Sequence, residues 1–64
     1  MMSVKRNQFI KHLENNNIFF YRHGSKHDIY RNEKSGKKTT VPGHPVLDTR
    51  LCELICKQLE IPKL

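Results

Sequence analysis

The feature that most constrains the fold is a pair of short strand-like runs separated by a turn sequence. His27 to Arg31 and Lys37 to Val41 contain β-branched and aromatic residues, and a five-residue gap ending in Gly36 lies between them. Such a gap suits a β-hairpin whose turn needs one left-handed residue. We therefore predict an antiparallel pair of strands with Gly36 in the left-handed conformation.

Amphipathic helices are predicted on both sides of this hairpin. Ser3 can cap a helix from Val4 to Asn15, and the following asparagines, which tolerate the left-handed conformation, would end it. A second helix is predicted from its N-cap Asp48 until Pro62 ends it after Ile61. The apolar residues that we expect on the inner sides of the two helices are Phe9, Ile10, Leu13, Leu51, Leu54, Ile55 and Leu59.

A third strand precedes the hairpin. Ile18 to Tyr21 is an unbroken apolar run, and a chain of 64 residues with five aromatic side chains should bury most of them. The short connection to the next strand contains Gly24, which can take a positive φ. The predicted order is α-β-β-β-α in a single α+β domain, residues 1–64, whose three-stranded antiparallel sheet has both helices on one face.

The two cysteines and the hydropathy pattern indicate the cellular compartment of the protein. Cys52 and Cys56 are four residues apart on a predicted helix, which is poor geometry for a disulfide, so we interpret both as reduced packing residues. No secretory signal follows Met1, and no apolar run approaches the roughly 20 residues of a membrane span. We therefore expect a cytoplasmic protein without a membrane partner.

Positive charge is concentrated in the central segment, residues 20–45. This segment holds six cations and two carboxylates, and so contributes +4 of the formal net charge of +6. His23, His27 and His44 lie within it, and histidine side chains exchange protons near neutral pH. The charge predicts an acidic partner, such as a nucleic acid or an acidic protein.

The residue types favour histidine acid–base chemistry. The six carboxylates are scattered, and the chain has neither a glycine-rich phosphate loop nor a Cys-x-x-Cys pair, so we predict no metal and no other cofactor. RNA suits this chemistry, because its 2′-hydroxyl attacks the adjacent phosphorus once a base removes the proton. A lysine or arginine can then stabilise the developing charge.

Strand alternation leaves the direction of one histidine open. His27, Ile29 and Arg31 share one face of their strand, while Asp28 and Tyr30 share the other. If Ile29 points into the core, His27 nominally does so too, unless a bulge or the sheet edge turns it outward.

Four stretches of the chain together carry a family resemblance. They are Gly24 to Tyr30, the turn residue Gly36, the run Thr39 to Pro45 and the helix Leu51 to Ile61. They resemble the HicA toxins of bacterial HicA–HicB toxin–antitoxin pairs, and the resemblance extends from about Val4 to Ile61. It implies a fold similar to that of double-stranded-RNA-binding domains. It also implies an endoribonuclease that cuts mRNA independently of the ribosome and is neutralised by an acidic HicB-type antitoxin.

The same resemblance implies a catalytic histidine after the Gly-Ser turn, three residues before an aromatic or apolar strand position. His27 fits this description, since it lies three residues before Tyr30. Many members read Gly-Ser-His directly, whereas Lys26 intervenes here, and His23 stays an alternative. The residues predicted to contact RNA are Gly24, Ser25, Lys26, Arg31, Lys37, Lys38 and His44.

Two other functional classes remain open at this point. One is a non-catalytic module that binds double-stranded RNA by shape, although so short a chain offers little surface for the usual span of about 16 base pairs. The other is a small interaction protein whose basic face meets an acidic partner.

Overall fold

The computed structural model describes residues 2–64 of the chain. Its elements are β1 (Ser3–Lys5), α1 (Arg6–Asn15), β2 (Ile18–His23), β3 (His27–Asn32), β4 (Lys38–Pro42), β5 (Val46–Asp48) and α2 (Thr49–Gln58). The predicted α+β order of a helix, three strands and a second helix is confirmed, and β1 and β5 are additions to it.

The central sheet is an antiparallel meander with β3 in the middle. Tyr30, halfway along β3, pairs with Phe20 of β2 and with Thr39 of β4. The register of β2 against β3 shifts between Phe20 and Arg22, which leaves Tyr21 at an irregularity. Strands β2 and β4 form the two edges of this sheet.

Both helices cover one face of the sheet, as predicted. The buried core consists of Phe9, Leu13, Ile18, Tyr30, Val41, Leu47, Cys52, Ile55, Cys56 and Leu59. It therefore takes side chains from both helices and from each strand of the central sheet, and this shared apolar contact holds the layers together.

The cysteines are packing residues. Cys52 and Cys56 are free thiols and buried, as predicted from their spacing. Burial raises the pKa of each thiol above its ordinary value, because an apolar environment disfavours the thiolate. Both side chains therefore behave as small apolar groups under α2.

The N-terminal boundary of α1 was predicted incorrectly. The helix begins at Arg6, not Val4, and its N-cap residue Lys5 makes no side-chain capping bond. Ser3 lies instead in β1, where it pairs with Asp48 of β5. Pairing of β1 with β5, which is distant in sequence, gives these residues hydrogen-bond partners that a helix would otherwise supply.

Turn residues confirm several local predictions. Asn17 (φ 65°) and Gly36 (φ 78°) adopt the left-handed conformation after α1 and in the β3–β4 turn. The carboxylate of Asp48 accepts hydrogen bonds from the backbone N–H groups of Arg50 and Leu51, and so caps α2. Helix α2 ends at Gln58, earlier than predicted. Within residues 2–64, neither helix has the length and hydropathy that a membrane crossing requires.

The prediction that most aromatic side chains are buried is wrong. Phe9 and Tyr30 lie in the core, but Phe19, Phe20 and Tyr21 are 42%, 47% and 47% exposed. The cause is the position of β2 at the sheet edge, where only its first residue, Ile18, is buried.

A buried asparagine joins the β3–β4 turn to the end of α2. Asn32 is 5% exposed, and its side-chain amide donates to the carbonyl of Leu59 at 2.8 Å. Its side-chain oxygen accepts from the backbone N–H groups of Lys34 and Ser35. One side chain therefore bonds the buried carbonyl at the end of α2 and the backbone N–H groups of the turn.

We expect Asn32→Ala to lower the free energy of unfolding by about 1–3 kcal/mol, because it removes these bonds and leaves the Leu59 carbonyl without a donor. Chemical denaturation measures the change, and Asn7→Ala, at an exposed position of α1, is the control. Equal stability of the two variants would contradict the structural role of Asn32.

Candidate nucleic-acid interface

The tip of the β2–β3 hairpin is a close turn around Gly24. The backbone N–H of Gly24 donates to the carbonyl of His27 at 2.7 Å. A Cβ at residue 24 would lie 2.6 Å from that same carbonyl oxygen. Gly24 does not use its freedom to take a positive φ. The turn requires glycine for close approach, and it leaves Ser25 and Lys26 exposed at the tip.

The sheet surface that faces away from the helices has no layer over it in residues 2–64, and we call it the open face. Tyr30 of β3 and Val41 of β4 are buried on the opposite, helix-covered side. The residues that alternate with them along each strand therefore point outward. The open face comprises Phe19, Tyr21, Arg22, His27, Ile29, Arg31, Lys38 and Thr40.

The side chain of His27 points to the open face and not into the core. Ile29 shares a face with His27, as alternation predicts, but Tyr30 rather than Ile29 points into the core. His27 is exposed and pairs across the sheet with Pro42 of β4. Its backbone is held by the turn bond to Gly24, while its ring is accessible to a ligand.

His23 lies on the other side of the hairpin in a chain of charged contacts. Its Nδ1 is 2.7 Å from Oδ1 of Asp28, and Oδ2 of Asp28 is 3.0 Å from Nη2 of Arg6. The Nε of Arg6 also donates to the Pro42 carbonyl at 2.8 Å. Asp28 thus orients His23 and leaves its Nε2 toward solvent, whereas His27 has no such carboxylate partner within residues 2–64.

The predicted phosphate-binding cations differ in their contacts. Arg31 Nη1 lies 3.4 Å from Glu33, and Lys37 Nζ lies 3.4 Å from Glu60. All four side chains are substantially exposed. Such surface ion pairs are weak, so another anion can readily replace the glutamate as the partner of Arg31 or Lys37. Lys38 is different, because its Nζ lies over the ring of Tyr21, 4.5 Å from the centroid.

The predicted site residues form two groups along the sheet. Gly24, Ser25, Lys26 and His27 lie at the hairpin tip, and His44 is exposed in the loop that follows Pro42, the partner of His27. Arg31, Lys37 and Lys38 lie near the far end of β3 and β4. No sequence pattern indicated the contact between Arg6 and Asp28, which are 22 residues apart, or the exposure of Phe19 and Tyr21.

The surface grooves lie elsewhere. Among the grooves on the described chain, four with volumes of about 400 to 640 Å³ are lined by none of the predicted site residues. Across residues 2–64, three or more His, Cys, Asp or Glu side chains are nowhere grouped so that they could hold a metal ion. The candidate site is an exposed surface, which suits a polymer better than an enclosed small molecule.

Fold and surface together define a small basic α+β domain with one helix-covered sheet face and one exposed cationic face. Residues 6–61 match the family model described as HicA toxin of bacterial toxin-antitoxin. The match extends over most of the chain, which therefore belongs to the HicA toxin family, as its sequence resemblance indicated. Searches of curated proteins and of solved structures gave no match.

We expect Arg6 and Asp28 to be energetically coupled, because their side chains are 19% and 27% exposed and hydrogen-bonded. A double-mutant cycle with Arg6→Ala and Asp28→Ala should give a coupling energy of about 1–3 kcal/mol in unfolding experiments. The matched control is the exposed pair Arg31–Glu33, whose coupling should stay below about 1 kcal/mol. Similar values for the two pairs would show that the Arg6–Asp28 contact does not hold the hairpin.

Proposed function

We propose that this HicA-family toxin is an endoribonuclease that cuts mRNA independently of the ribosome, with His27 as the proton-transfer group. We further propose that it acts in the cytoplasm without a metal and is neutralised by an acidic HicB-type antitoxin. The family match supports the toxin class, and the net charge of +6 supports a polyanionic substrate and an acidic inhibitor.

The observation that carries the proposal is the placement of His27. It is exposed at the hairpin tip, on a face that also holds Arg22, Arg31 and Lys38. The carboxylate that contacts these cations is that of Glu33, 3.4 Å from Nη1 of Arg31, at the opposite end of β3 from His27. A phosphodiester bound at the hairpin tip would meet the proton-transfer group His27 together with cations of the same face.

The proposed reaction follows from the chemistry of RNA. His27 as a base takes the 2′-hydroxyl proton, the 2′-oxygen forms a bond to phosphorus, and the bond from phosphorus to the 5′-oxygen breaks. The products are a 2′,3′-cyclic phosphate and a 5′-hydroxyl, whose proton comes from solvent or from a protonated side chain. The cations of the open face and Lys26 at the tip would stabilise the negative charge on the phosphoryl oxygens.

His23 is the competing assignment within the same function. A carboxylate that orients an imidazole is the arrangement of many general bases, and Asp28 holds His23 in this way. His23 lies on the opposite side of the hairpin from His27, so one phosphodiester would contact one ring or the other. Its contacts with Asp28, and through it with Arg6, also fit a purely structural role.

The proposed function predicts cleavage of RNA in excess EDTA. DNA of the same sequence should survive, because it lacks the 2′-hydroxyl that attacks the phosphorus. Gel analysis of both nucleic acids with purified protein measures this. Activity that is lost in chelator and restored by Mg²⁺ would contradict the metal-free reaction. Intact RNA under all conditions would favour a non-catalytic double-stranded-RNA-binding module or a basic interaction protein.

The two histidines are separated by a pair of matched variants. His27→Ala should lower the cleavage rate by about 10² to 10⁴-fold, the usual contribution of a positioned acid or base. His23→Ala should keep most of the activity, although it removes an exposed histidine from the same hairpin. Both melting temperatures should stay close to that of the wild type, because neither ring is buried. The reverse order of cleavage rates would assign the reaction to His23 and Asp28.

A further inference from the structure

Strand β2 presents three consecutive aromatic side chains to solvent. Phe19, Phe20 and Tyr21 are each more than two-fifths exposed, although the chain has only five aromatic residues. Small domains have little apolar surface to spare for the core, so a run of exposed rings indicates a binding surface.

Two of these rings lie on the open face beside cations. Phe19 pairs across the sheet with Arg31, and Arg31 pairs with Lys38 on its other side. Residues directly opposite one another in a sheet point to the same face. Tyr21 is at the register shift of β2, and the contact of Lys38 with its ring places that ring on the same face. We call Phe19, Tyr21, Arg31 and Lys38 the aromatic platform.

The third ring points the other way. Phe20 pairs with the buried Tyr30, and the two rings meet edge to face with centroids 6.0 Å apart. Phe20 also meets His23 edge to face at 4.9 Å. Phe20 therefore lies on the helix-covered side, and the platform contains two rings rather than three.

We propose that the aromatic platform binds unpaired bases of single-stranded RNA. This inference rests on the proposed function and names its substrate class. Flat apolar rings stack on base faces, and adjacent Arg and Lys side chains contact the phosphates. A duplex hides its base faces within the helical stack, so the platform would select unpaired segments.

The charge around the rings favours RNA over a protein as the occupant. The open face carries Arg22, Arg31 and Lys38, and the carboxylate that contacts one of them, Glu33, forms an exposed pair with Arg31 that a phosphate can displace. A ligand that is both flat and anionic satisfies rings and cations together, which nucleotides do. His27 shares this face and β3 with Arg31, four residues away or about 13 Å along the strand. A bound strand can therefore extend from the platform to the proposed proton-transfer group.

The test uses a single-stranded 2′-O-methyl RNA, which cannot be cleaved because its attacking hydroxyl is blocked. Phe19→Leu and Tyr21→Leu should each weaken binding by about 5- to 150-fold, which corresponds to about 1–3 kcal/mol per stacked base. Phe20→Leu is the matched control, since it changes an equally exposed ring of the same strand on the other face. Its affinity should stay near that of the wild type. Fluorescence anisotropy measures the affinities, and circular dichroism confirms that each variant folds.

Two further ligands separate stacking from charge. An abasic oligonucleotide keeps the phosphates but has no bases, so the Leu variants should bind it as the wild type does. Lys38→Ala should weaken binding to both oligonucleotides and reduce the salt dependence of binding, whereas the Leu variants should leave that dependence unchanged. The same sequence annealed as a duplex should bind more weakly than the single strand.

Four outcomes would overturn the platform. In the first, Phe19→Leu and Tyr21→Leu bind the single strand as tightly as the wild type; in the second, Phe20→Leu loses as much affinity as they do. In the third, the Leu variants lose as much affinity for the abasic ligand as for the intact one; in the fourth, the protein binds the duplex more tightly than the single strand. An equal loss with the abasic ligand would indicate a surface for acidic partners in general, including a protein.

Failure of the platform is distinguishable from failure of the nuclease. If the variants show the predicted affinities but unmodified RNA is not cleaved, the platform is supported and the proposed nuclease activity is contradicted. If Phe19→Leu and Tyr21→Leu cleave unmodified RNA at the wild-type rate, the nuclease activity is supported and the platform is contradicted.

Discussion

The position of the hairpin tip depends on one partly buried ion pair, between Arg6 and Asp28. Arg6 is the first residue of α1, and its guanidinium also bonds the carbonyl of Pro42 at the end of β4. Asp28 lies in β3 and holds His23 of β2 with its other oxygen. One guanidinium and one carboxylate therefore connect the start of α1 to all three strands at the end of the sheet that carries His27.

That contact also makes the two sides of the hairpin chemically different. The carboxylate of Asp28 points toward Arg6, on the helix-covered side, and attracts His23 to that side. The open face holds His27 with cations, and the carboxylate that contacts one of those cations, Glu33, lies at the far end of β3. Two histidines four residues apart thus meet different environments, since strand geometry directs one toward a carboxylate and the other toward solvent. Their chemical roles follow from this separation more than from their proximity in sequence.

Local signals made much of the fold predictable, and contacts distant in sequence account for the rest. Gly36, Asn17 and Asp48 act through their own backbone or the next few residues, so their turns and cap could be predicted. Strands β1 and β5 are three residues each and find their partners only in the folded chain. The exposure of the β2 aromatics depends on β2 being an edge strand. An apolar run in the sequence does not show which of its side chains a helix will cover.

The exposed rings of β2 link stability to binding. A chain of this length buries only about 60% of its unfolded surface, so leaving three aromatic side chains partly in water withholds apolar area from a small core. Any ligand that binds the folded chain and not the unfolded one stabilises it by mass action. A ligand that covers Phe19 and Tyr21 removes their apolar surface from water, and part of its binding free energy comes from that burial. The exposed rings thus contribute little to the stability of the free domain and would contribute more in a complex that covers them.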